Sequence, residues 1–151
     1  MNQTIDPYAA GKITTNLYAK KRDVCGSLAV ILDGRLDDRA LSLIAPMSRC
    51  LCRGQVHELI LTDEATAKPG SRVDRIAYLG FFAVEREGVI VVGDELLVDG
   101  EKIGILAGFD ETHMPNHLNI IIQSVTRPTG TELGCRLEAA VVFHQPEHRE
   151  K

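Results

Sequence analysis

The chain has 151 residues, 44% of them hydrophobic and 25% charged. These are proportions of a soluble globular protein long enough to bury roughly two thirds of its unfolded surface in one domain. Twenty-one acidic against seventeen basic residues leave a formal charge of −4, which argues against a nucleic-acid binder and its basic stripe.

With Trp absent and aromatic residues few, stacking platforms for single strands are not expected either. No segment approaches the roughly 20 consecutive apolar residues of a membrane span. The N-terminus lacks the basic-then-apolar order of a signal peptide, so a cytoplasmic location is expected. There the scattered cysteines Cys25, Cys50, Cys52 and Cys135 would stay reduced.

In chain order, residues 1–20 are polar and weakly patterned and read as an N-terminal arm. "VCGSLAVIL" (24–32) is a strand by its β-branched content, closed by the turn signal Asp33-Gly34. "RLDDRALSLI" (35–44) fits both a helix face and a strand, and is taken as strand or irregular connection. "QVHELILT" (55–62) is a strand, and the "DEATAKPG" loop follows it. "RVDRIAYLGFFAVE" (72–85) is a long strand in which Gly80 marks a bulge or bend.

"GVIVV" (88–92), "DELLV" (94–98) and "EKIGILAGF" (101–109) succeed one another quickly, with Asp99-Gly100 a favoured hairpin turn. "LNIIIQSV" (118–125), a polar "TRPTGTE" loop, a final strand near 136–144 and a charged tail (146–151) complete the chain. Short strands at intervals of about ten residues predict an all-β, mostly antiparallel single-domain β-barrel over 21–145 with little helix.

The densest chemistry lies in "GFDETHMPNHLNIII" (108–122). His113 and His117 have the i, i+4 spacing of a helical metal grip, but Pro115 between them disfavours a helix. An extended chain would part them by about 13 Å, so a shared divalent metal, with Asp110 as third ligand, needs a compact turn at Pro115-Asn116. Strand alternation puts Leu118, Ile120 and Ile122 on one face and His117, Asn119, Ile121 and Gln123 on the other. With Asp110 and Glu111, and with Asn116 in the loop, an ionisable cluster is expected at one barrel rim, a common place for ligands. The alternative is a surface loop whose Asp and Asn form turns.

His57 falls on the face of Leu59 and Leu61, opposite Val56, Glu58 and Ile60. It reads either as a hydrogen-bonded core histidine or as an acid–base partner of His117. Cys50 and Cys52, flanked by Arg49 and Arg53, share one face and read as small buried hydrophobes, since no second zinc knuckle accompanies them. Arg49, Arg53, Arg72 and Arg75 offer an anion a receptor or are solvated surface. There is no phosphate loop, dinucleotide fingerprint or nucleophile elbow.

"RCLCRGQVHELILTDE", "RVDRIAYLGFFAV" and "GFDETHMPNHLNIII" together resemble an uncharacterised family of small bacterial proteins, from about Lys21 to Phe143. "GDELLVDGEKIGILAGF" and "NHLNIII" also resemble the glucitol/sorbitol-specific enzyme IIA component of the bacterial sugar phosphotransferase system. That resemblance implies a β-barrel and a phosphorylated histidine in an "IHxxG" segment. The histidine in comparable order is His57, without the glycine.

Three readings follow. The first is a small-molecule or metal-ligand binding protein or an enzyme, with His117, His113 and His57 as working groups and Asp110, Glu111, Asn116 and Asn119 as ligand contacts. The second is a phosphohistidine carrier, and the third a structural module in which the block closes the barrel and shapes a homo-oligomer face.

Overall fold

The computed structural model describes residues 17–147, so most of the expected arm (1–16) and of the tail (148–151) lie outside the described residues. Twelve strands and no helix are found among them. They are β1 (Val24–Ile31), β2 (Arg35–Leu36), β3 (Leu41–Ser42), β4 (Ser48–Leu51), β5 (Val56–Thr62) and β6 (Arg72–Val73), then β7 (Ile76–Arg86), β8 (Gly88–Val91), β9 (Glu95–Val98), β10 (Glu101–Asp110), β11 (Asn119–Gln123) and β12 (Ala140–His144). No helix of the described residues is long and apolar enough to cross a membrane.

Seven strands hydrogen-bond in the order β1-β12-β9-β10-β11-β5-β7, and β7 pairs back onto β1, so the sheet closes into a ring. Closure leaves no open edge among the seven. Every pairing in the ring is antiparallel except β11 with β5, where Asn119 faces Glu58 and Ile121 faces Ile60. The pairs β3–β6 and β4–β8 form two small additional sheets, and β2 adds to β7.

Two apolar clusters follow from period-two alternation. The larger fills the ring interior with Leu59, Leu61, Phe82, Phe109, Ile120, Phe143 and their neighbours. Phe82 and Phe143 meet there with ring centroids 5.7 Å apart. Fully burying each such side chain is worth about 1.5–3 kcal/mol. The smaller cluster lies on the outer face, where Leu41 and Leu43 cover Ile60, Ile76 and Ile121. The segment after β2 is therefore held against the outside of the ring by its alternate leucines.

Two glycines act as the sequence suggests. Asp99 (φ 49°) and Gly100 (φ 81°) make the β9–β10 turn in the left-handed region, as a two-residue hairpin requires. At Gly80 the β5–β7 register slips, Leu59 facing Gly80 and Ile60 facing Tyr78. A Cβ there would sit 2.1 Å from the Val30 carbonyl oxygen, so the close approach of β1 demands glycine.

Two expectations need correction. The final strand starts at Ala140 rather than near 136, because Cys135 and Ala139 donate backward to Gly130 and Arg136 in local turns. Cys50 and Cys52 are exposed instead of buried, since Leu51 between them takes the core-facing position of β4.

Candidate functional site

The β10–β11 loop turns sharply at Met114-Pro115, whose peptide bond is cis, and Asn116 N donates to the His113 carbonyl at 2.9 Å. This is the compact turn that brings the two loop histidines together. Their rings lie 5.1 Å apart, tilted by 32°. His117 sits on the outer face of the sheet, where Phe81 of β7 meets it edge-on at 4.9 Å. Glu58 of β5, paired in register with Phe81, reaches the same imidazole: Glu58 Oε1 is 3.1 Å from His117 Nε2.

Glu58 is only 6% exposed. Burial raises its carboxyl above the ordinary value, and His117, then His113 and Arg39, pull the other way without cancelling it. Burying a carboxylate is costly unless it is paired, and His117 is that pairing.

The hydrogen-bond partners fix the imidazole tautomers. Asn116 Nδ2 donates to His117 Nδ1 at 2.7 Å, which leaves the His117 proton on Nε2, donated to Glu58. Arg39 Nη2 donates to His113 Nε2 at 3.1 Å, so the His113 proton is on Nδ1, at the exposed side of the loop. Arg39 is itself steadied by Nε donating to Tyr78 Oη at 3.1 Å.

His57 stands apart from this cluster. It faces the interior side with Leu59 and Leu61, while Glu58 and His117 lie on the opposite face of the sheet. Leu118 N donates to His57 Nδ1 at 3.0 Å, and His57 Nε2 donates to Gln55 Oε1, also at 3.0 Å. Both ring nitrogens are thus committed to the main fold. Burial, then the charges of Arg49 and His117, push the His57 pKa down to about 4, and a proton on Nδ1 would face the Leu118 N–H.

The remaining sequence candidates are dispersed around this centre. Asp110, 1% exposed, accepts from Ser42 N, Thr112 N and Asn119 Nδ2. Burial raises its carboxyl, but those hydrogen bonds outweigh burial and hold it below the ordinary value. Asn119 is fully buried, and its Oδ1 has no partner among the described residues. Glu111 is on the surface, paired with Arg49 at 2.8 Å. Among the described residues no three of His, Cys, Asp and Glu are gathered so as to hold a metal ion.

Glu58, Arg39, Phe81 and Tyr78 join the site without having been singled out from sequence. A carboxylate inside the apolar run "VHELIL" is the signal that would have marked Glu58; nothing local marks Arg39. An open groove of about 610 Å³ lies at the other end of β10 and β11, lined by Asp63, Lys102, Ile103, Gln123 and Val125 among others. Its charged groups are already paired, Asp63 with Arg75 and Lys102 with Glu95.

The fold and site define an all-β protein with a closed ring of strands and a carboxylate–histidine pair on its outer face. The chain belongs to a family of unknown function (DUF6917), whose model matches residues 18–144. No curated protein and no solved structure matches it.

Proposed function

We propose that this protein binds a small molecule on the outer-face site formed by Glu58, His117, His113 and Arg39, with His117 as the acid–base group. The observation that carries this reading is the Glu58–His117 contact: a nearly buried carboxylate orients an imidazole whose other nitrogen faces the exposed Asn116 amide. A carboxylate behind a histidine fixes its tautomer and orientation. A ligand that displaces Asn116 meets the Nδ1 lone pair of an imidazole held in place by Glu58.

The metal and phosphohistidine readings are less well supported. No three of His, Cys, Asp and Glu are gathered among the described residues so as to hold an ion, and His57, the histidine in the phosphocarrier's order, has both ring nitrogens hydrogen-bonded within the fold.

Histidine ring signals of the full chain, followed by NMR during a screen of small metabolites, test the proposal. Compounds are expected to move the His113 and His117 signals together, and His117→Ala is expected to abolish their binding. A screen in which no compound moves either signal overturns it.

A further inference from the structure

We infer that the ligand of this site is an oxyanion, a phosphate or carboxylate group on a small molecule, received by Arg39 with His113 beside it. The inference rests on the reading of the site given above and names its ligand class.

What the site turns outward are donors. The lone pairs of His113 and His117 are occupied, whereas the His113 Nδ1–H and the Nη1 edge of Arg39 donate to none of the described residues. Arg22, Arg35, Arg49, Arg72, Arg75 and Arg127 each hold a carboxylate. Arg39 holds none among the described residues, nor do Arg53, Arg86 and Arg136, but of these four only the Arg39 guanidinium is hydrogen-bonded to other described side chains. Its planar fork suits bidentate capture of an oxyanion.

Arg39 is also preorganised. Its guanidinium is fixed at two points, Tyr78 Oη and His113 Nε2. Its own N–H donates to the Asp74 carbonyl at 3.0 Å, and Ala40 N donates to Asp74 Oδ1 at 3.1 Å. Ala40 takes a left-handed φ of 56°, a conformation a non-glycine residue adopts only where its surroundings impose it. A guanidinium held in place before the ligand arrives has less ordering cost to offset on binding. Of the acidic groups around it, Glu58 is paired with His117, and Asp74 is engaged by Arg72 and the Ala40 N–H.

The test titrates the full chain with inorganic phosphate and acetate, with glycerol and tetramethylammonium as neutral and cationic probes, following the histidine ring signals by NMR. Phosphate or acetate should shift His113 and His117 saturably, and the tighter of the two identifies the anion source. Arg39→Ala should weaken that binding at least tenfold. Arg39→Lys, which keeps the charge but not the fork, should fall between, and Arg53→Ala, a surface charge control, should bind as wild type. Anion binding unchanged in Arg39→Ala, or weakened equally in Arg53→Ala, overturns the inference. So does a response to the neutral or cationic probe alone, although the binding site itself then stands. If neither these probes nor the metabolite screen moves the histidines, the site reading falls with it.

Discussion

His117 Nε2 lies 3.1 Å from Glu58 Oε1 across 59 residues of chain, and the parallel pairing of β5 with β11 brings them together. Because burial raises Glu58, the folded carboxyl holds its proton better than the unfolded chain does. Its contribution to stability is full below the ordinary carboxyl pKa and is lost as pH rises through the folded value. Glu58→Gln, neutral throughout, should therefore gain stability relative to wild type between pH 4, below the ordinary carboxyl value, and pH 8. Urea unfolding at both pH values measures this, and a pH-independent difference would count against it.

His57 has the opposite sign. Its pKa is lowered to about 4, so its contribution is present above the unfolded value near 6.5 and is lost as pH falls through 4. The group accounts for about 3 kcal/mol of acid destabilisation over that window. His57→Gln should lose less stability than wild type between pH 7 and pH 4, and parallel stability curves would refute the assignment.

Asp110 pins the covering segment through Ser42, Thr112 and Asn119. Asp110→Ala should cost about 2–4 kcal/mol, since three donors lose a charged acceptor. Amide hydrogen exchange at Ser42 and Thr112 should quicken in the same variant. Unchanged exchange at both would show that the segment is held by its leucines alone.

Lys21 Nζ and Asp94 Oδ2 form an ion pair at 2.6 Å with both side chains nearly buried, and Asp94 also accepts from Val91 N. Removing one partner leaves the other charge uncompensated. Lys21→Met should destabilise by about 3–5 kcal/mol, and adding Asp94→Asn should recover part of that loss in thermal unfolding. No recovery in the double variant would mean the cost is packing rather than charge.

Local features were readable along the chain because they depend on neighbours in sequence. The Asp99-Gly100 turn, the Gly80 irregularity and the two faces of 117–123 all stand as expected. His57 falls on the interior face with Leu59 and Leu61, and its environment is that of the hydrogen-bonded core histidine. Local patterning misled at Cys50 and Cys52, where alternation pairs the two thiols on one face but does not say which face meets the core.

By itself the sequence determined an all-β chain, the strand that carries His57 and the faces to which His57 and residues 117–123 belong, since period-two geometry is a local property. Only the tertiary structure decided that β7 returns to β1 and closes the ring, that Glu58 backs His117, and that Arg39 is held between Tyr78 and His113. Those relationships join residues between 39 and 74 positions apart, or strands distant in the chain. They depend on which strands pair and on what the outer face must cover, and neither is written in any one stretch of residues.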